Sequence, residues 1–224
     1  MNFTIRHGEN YRVARLLRVL SEGERVASNV ANLQSKYLAT SQPRVAKFFR
    51  NQSKQERFHH GVFSFAERWI TPKGTSVVGE SRIFDRFERE LTNSISNGDF
   101  DHSVMGLQIV LEALGDSFLD TIDARMEERN MGLDTLRRMI RFQEQAHQDF
   151  GARYFEKNCH HYQALGSQRL LSAAQTQVSI IHELVDAIDI DLEALGLDSN
   201  TYATSVEKAV EGMQFKLESP LLCG

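Results

Sequence analysis

Proline is scarce in this 224-residue chain, with only Pro43, Pro72 and Pro220, and none of them interrupts a long periodic segment. A proline inside a helix removes an amide donor and clashes with the preceding turn, so its scarcity leaves long helices free to form and disfavours a strand-and-turn architecture. Cysteine is scarcer still. Cys159 and Cys223 are too few for a disulfide framework and lack the spacing of a thiolate metal site, which makes a reducing cytoplasm the expected compartment. No stretch approaches the roughly 20 apolar residues that span a bilayer, so no integral membrane segment is expected. Arg6, Arg12, Arg15 and Arg18 run through the apolar positions of the first twenty residues, against the apolar core of a signal peptide. A formal charge of −4 gives no electrostatic reason for nucleic acid or an anionic membrane to be the main partner.

What the chain does have is helical periodicity almost throughout. Apolar stripes predict bundle helices over about 10–37, 43–70, 102–129 and 133–158, with accessory helices over about 81–95, 167–190 and 201–215. The breaks fall where turn chemistry puts them, at Thr40-Ser41-Gln42-Pro43, residues 72–80, Asn97-Gly98, Asn130-Met131-Gly132 and Gly196-Leu197-Asp198. No low-complexity linker divides the chain, so residues 1–224 are expected to form one all-α domain.

Two Glu-x-x-His sequences occur, Glu56-Arg57-Phe58-His59 and Glu144-Gln145-Ala146-His147. Eighteen glutamates and eight histidines in 224 residues would give about 0.6 such matches by chance, so the pair alone means little. The upstream spacing changes that. Glu24 precedes Glu56 by 32 residues and Glu112 precedes Glu144 by the same 32, so the two halves repeat at an offset of 88. On a helix, positions i and i+3 share a face, and each Glu-x-x-His presents a carboxylate and an imidazole to one point. Thirty-two residues let one helix run out and the next return alongside it. Two facing halves then supply four carboxylates and two imidazoles, the donor set for a carboxylate-bridged metal pair in a bundle core. Glu24 lies on the stripe of Val13, Leu17, Leu20, Ala27 and Ala31, where a charge must be paired or metal-bound. Glu22 is expected instead on a solvated face with Arg15, Arg18 and Arg25.

Glu, Glu-x-x-His, Glu, Glu-x-x-His on four bundle helices resembles the ferritin-like di-iron carboxylate superfamily. Within it the chain is similar to the aldehyde-deformylating oxygenases of cyanobacteria, through Glu22-Gly23-Glu24, Gln55-Glu56-Arg57-Phe58-His59 and the run from Gln143 to Gly151. The resemblance implies a ferritin-like four-helix bundle with additional helices. It also implies two iron ions, or manganese, held by Glu24, Glu56, His59, Glu112, Glu144 and His147, with Glu56 and Glu144 bridging. The implied activity is dioxygen activation next to an apolar channel, with a fatty aldehyde giving alkane and formate. Electrons would come from an external donor such as ferredoxin and ferredoxin reductase. A ferroxidase or other iron-handling protein, and a di-iron hydroxylase of another substrate, share the ligand pattern.

The chain departs from that pattern in two places. Asp116 and Asp120, at i+4 and i+8 from Glu112, are expected to face the interior where the family has apolar and aromatic residues. Gln55 and Gln143 stand before each Glu-x-x-His where an aspartate is common, and glutamine can orient a histidine only without charge. Around the site, His60 and His182 are expected to be hydrogen-bonded rather than ligating, and His160-His161 to be exposed. The Arg137-Arg138-x-x-Arg141 cluster reads as a solvated face.

Overall fold

The computed structural model describes residues 7–71, 73–128, 134–158 and 164–218. Pro72, the Asn130-Met131-Gly132 break, Cys159, His160-His161, Pro220 and Cys223 lie outside the described residues.

Helices account for nearly all of the described chain, and no strand occurs among the described residues. In order they are α1 (His7–Tyr37), α2 (Pro43–Ile70), α3 (Ser81–Ser96), α4 (Phe100–Val104), α5 (Glu112–Glu128), α6 (Asp134–Asn158), α7 (Ala164–Ala194) and α8 (Ser199–Glu218). A π-helical segment, Met105–Leu111, joins α4 to α5 without a break, so Phe100 to Glu128 is one long helix with a widened middle.

Local chemistry sets the boundaries. Pro43 occupies the first position of α2, where its missing N–H costs nothing because that amide has no partner inside the helix. At the end of α7, Gly196 takes φ 70°. Leu197 N–H there reaches Leu192 O at 2.9 Å, and Gly196 N–H reaches Glu193 O at 2.9 Å. These are the two bonds of a Schellman close, which needs a residue tolerant of positive φ at that point.

α1 and α2 pack antiparallel along most of their length, and α6 and the α4–α5 helix complete the bundle. Helix α3 lies across α1, while α7 and α8 cover the outer faces of α1, α5 and the π-segment. The buried apolar side chains form one cluster, from Val19, Val26 and Val30 of α1 through Phe49, Leu107 and Phe155 to Leu184 and Tyr202.

Glu22 is not on a solvated face. It is buried, 8 % exposed, between Arg18 (3.2 Å) and Arg25 (2.9 Å). Arg25 goes on to Glu88 and Asp85 of α3, and Arg15 to Glu80 and Asp191. The sequence places Glu22 among arginines correctly, but α3 folds over that face and turns a surface row into a covered ion-pair network. No helix among the described residues is long and apolar enough to cross a membrane.

Candidate metal centre

Glu24 comes from α1, Glu56 and His59 from α2, Glu112 from the first turn of α5, and Glu144 and His147 from α6. Their donor atoms converge into two overlapping groups, Glu24, Glu56, His59 and Glu144, and Glu56, Glu112, Glu144 and His147. Within each group the donors lie within 4.8 Å of one another. Glu56 and Glu144 belong to both groups, so the arrangement is two positions sharing two carboxylates. His59 Nδ1 lies 2.8 Å from Glu144, 3.1 Å from Glu56 and 3.7 Å from Glu24. His147 Nδ1 lies 2.9 Å from Glu56, 3.5 Å from Glu144 and 3.6 Å from Glu112. The halves match almost distance for distance.

Burial here is close to complete. Glu56 and His59 are 0 % exposed and His147 1 %. Both carboxylate oxygens of Glu56, one of Glu144 and the Nδ1 atoms of both histidines have no hydrogen-bond partner of acceptable geometry. Buried polar atoms are almost always satisfied, and an orphan costs about 1–3 kcal/mol or more. Five such atoms aimed at one point fit two divalent cations, with borderline and hard donors in the proportions that iron or manganese takes.

Without metal, protons do the neutralising. Burial and the charges of Glu144 and Glu56 raise the carboxyls of Glu24 and Glu112 well above their usual range. Burial alone would lower the imidazoles, but the carboxylates facing Nδ1 outweigh it, those of Glu144, Glu24 and Glu56 at His59 and those of Glu56, Glu112 and Glu144 at His147. Both therefore rise. Glu144 is pulled below the usual range against its own burial by His147, His59 and Glu112.

The other ring nitrogen of each histidine is also held, by a residue of the opposite half. His59 Nε2–H donates to Gln143 Oε1 at 2.8 Å, and His147 Nε2–H to Gln55 Oε1 at 3.0 Å. That bond fixes the tautomer, leaving Nδ1 to face the carboxylates. The sequence marks both glutamines as orienting groups. Only the fold crosses them, so that α2 braces the histidine of α6 and α6 that of α2.

The chain superposes on a Synechococcus protein described as protein 19 with aldehyde deformylating oxidase activity, with a TM-score of 0.74 at 11 % identity. The match covers 98 % of this chain and 94 % of that one. The fold is ferritin-like. No family model matches the sequence, and no curated protein matches it either.

The ferritin-like bundle leaves a pocket beside the carboxylates, enclosing about 440 Å³ with its open mouth included. Leu20, Ala27, Phe84, Leu114, Phe118 and Leu119 line it, and Glu24, Glu112 and Glu144 stand at its polar end. Gly115 also lines it, and a Cβ built there meets nothing within 4 Å.

The remaining candidates fall elsewhere. Asp120 does not face the interior: it is exposed and paired with Arg141 of α6. Asp116 is half-buried, and its carboxyl is raised by burial and by Asp120 and Glu144, against Arg141 and Gln148. A helix turns about 100° per residue, so the i+8 position has drifted off the face that i+4 still shares. His60 lies 2.8 Å from the Ser21 carbonyl and 2.8 Å from its hydroxyl, tying α2 to α1. His182 lies 3.3 Å from Glu207 between α7 and α8, in neither donor group.

Sequence reasoning missed a chain of buried amides behind one half of the centre. Gln52 Nε2–H donates to Glu112 Oε1 at 2.9 Å, and Gln108 Nε2–H to Gln52 Oε1 at 3.0 Å. Gln108 also donates to Gln34 Oε1 at 3.2 Å, and Gln34 to Ser103 Oγ at 3.0 Å. All three glutamines are at most 1 % exposed. Their one signal in the sequence is an amide at an apolar-stripe position, which Gln52 shows among Val45, Phe49 and Phe63.

Proposed function

We propose that this protein is a dioxygen-activating di-iron enzyme acting on an apolar substrate, with a fatty aldehyde as the first candidate. The observation that carries this reading is the apolar pocket ending on three of the six ligand candidates. A ferroxidase needs only an ion path to its centre, whereas a pocket lined by aliphatic and aromatic side chains and ending on carboxylates offers an organic molecule an apolar seat beside the metals.

Glu56 and Glu144 would bridge the ions, with Glu24 and His59 completing one position and Glu112 and His147 the other. Bound iron supplies the capacity to bind and reduce dioxygen. The chain's own residues do the rest. Gln55 and Gln143 hold the imidazoles in their ligating tautomer. Leu114, Phe118 and Phe84 keep water from the pocket, so charges at its polar end act in a medium of low dielectric. The apolar lining orients a hydrocarbon chain with its polar end toward Glu24 and Glu112.

Such a reaction draws electrons from outside the protein. The exposed stripe of α2 carries Arg44, Lys47, Arg50, Lys54, Arg57 and Arg68, while both acids of that helix, Glu56 and Glu67, are buried. Phe58 on that stripe is half-exposed, and its ring lies against His59 with centroids 6.1 Å apart. A basic surface directly over one histidine of the centre suits an acidic electron carrier such as ferredoxin.

The test is to load metal-free protein with Fe(II) without oxygen, count the iron, then admit O₂ with a fatty aldehyde and a reducing system. Two irons per chain that are lost in Glu56→Ala, with alkane and formate produced, support the reading. Fewer than two irons, or a count insensitive to Glu56→Ala, sinks the metal centre. Rapid oxidation into a mineral core would instead favour the ferroxidase.

A further inference from the structure

The two halves of the centre repeat at an offset of 88 residues, and every ligand candidate obeys it: Glu24 with Glu112, Glu56 with Glu144, His59 with His147. The crossed amides obey it too, Gln55 with Gln143. The amide chain behind Glu112 does not. Adding 88 to Gln52 gives Ile140, buried at 4 % exposure, which has no group to donate. Subtracting 88 from Gln108 gives Leu20, and adding 88 to Gln34 gives Ile122. The backbone breaks the symmetry at the same place. The π-helical segment that carries Gln108 lies just before Glu112, while the corresponding residues 17–23 before Glu24 are ordinary α-helix.

From this asymmetry we infer that the two metal positions are unequal, and that the Glu112–His147 position fills first because Gln52 presets its carboxylate. This rests on the di-iron reading above. Orientation along the amide chain is forced. A ligating carboxylate can only accept, so Gln52 must turn its NH₂ to Glu112, and its oxygen must then take a hydrogen from Gln108. Gln108 in turn is held by Gln34, and Gln34 by Ser103. A carboxylate oxygen has more than one lone pair, so the bond from Gln52 fixes the rotamer of Glu112 and still leaves it free to ligate. Glu24 has only the His59 contact at 3.7 Å and a side chain 13 % exposed, with no amide behind it. Its carboxylate must be ordered when the ion arrives, and it is free to swing as substrate enters. The protein would thus keep one position rigid and one adjustable.

Gln52 acts through Glu112 and is a positioning residue, so the test reads metal binding rather than turnover. Metal-free protein is titrated with Co(II) under anaerobic conditions and followed by d–d absorption and calorimetry. Wild type is expected to bind in two steps about tenfold or more apart, the range over which loss of a supporting hydrogen bond moves metal affinity. Glu24→Ala should keep the tighter step, and Glu112→Ala should lose it. Gln52→Met, which keeps the volume and removes the donor, should weaken the tighter step about 10- to 100-fold and merge the two. Gln177→Met serves as the structural control. Gln177 is equally buried, bonds to the His102 carbonyl and touches no ligand candidate, so this change should leave both steps in place. One indistinguishable step in wild type, a separation that survives Gln52→Met, or loss of the tighter step in Glu24→Ala would overturn the inference. Failure to bind Co(II) at all would instead refute the metal centre itself.

Discussion

Loading the centre with two divalent ions should release between two and four protons per chain at neutral pH. In the metal-free protein the carboxyls of Glu24 and Glu112 and the imidazoles of His59 and His147 are all raised, toward protonated forms that ligation cannot tolerate. Ligands must be carboxylate anions and neutral imidazoles, so two carboxyl and two imidazolium protons, four in all, set the upper bound. The imidazolium protons alone set the lower one. Each proton released strengthens binding about tenfold per pH unit, or about 1.4 kcal/mol. Stability follows the same linkage. All four groups have folded values above their unfolded ones, 4.5 for the carboxyls and 6.5 for the imidazoles. Above about pH 6.5 the metal-free fold therefore holds protons that the unfolded chain has lost, and its stability falls as pH rises. The depressed Glu144 works in the opposite sense, but its contribution is lost only as pH falls into the acid range. Metal-loaded protein has already given up these protons and lacks the downward slope. The gap in Tm between loaded and metal-free protein should widen from pH 6.5 to 8.5. Calorimetric titration with Mn(II) in buffers of different ionisation enthalpy counts the protons, and scanning calorimetry follows the gap. Release of fewer than two protons, or a gap that narrows with pH, would refute the charge assignment.

Gly151→Ala should destabilise the fold by about 1–3 kcal/mol. A Cβ there meets the Gln108 side chain at 2.7 Å and the Gln108 carbonyl at 3.3 Å, and thermal unfolding reads the loss. Gly115→Phe should fill the pocket from a position whose Cβ meets nothing. Binding of a long-chain aldehyde or alcohol, measured by calorimetry, should then disappear while the metal count stays at the wild-type value. Charge reversal at Arg57, exposed over the buried centre, should weaken capture of reduced ferredoxin several-fold at low salt, with the difference vanishing at high salt as screening sets in. Stopped-flow oxidation of ferredoxin measures it.

The periodicity of the chain and its poverty in proline already dictate helices, and helix geometry turns Glu-x-x-His into a paired ligand. Spacings of 32 and 88 residues single out the six side chains that the fold brings together, because antiparallel helices of known rise convert chain separation into position. Choosing Glu24 over Glu22 also needed only the stripe, since two residues are a turn of about 200°. Other features have no local cause. The crossing of Gln55 to His147 and Gln143 to His59 depends on how α2 and α6 face each other. Glu22 is buried because α3 happens to cover it. The π-helical segment leaves no mark in residue type, since widening a turn costs hydrogen-bond geometry that only packing can offset. So the identity of the six side chains that converge was written in the sequence, where local geometry governs. The inequality of their surroundings arises only when Gln34, Gln52 and Gln108, from three different helices, meet in the interior and must satisfy one another.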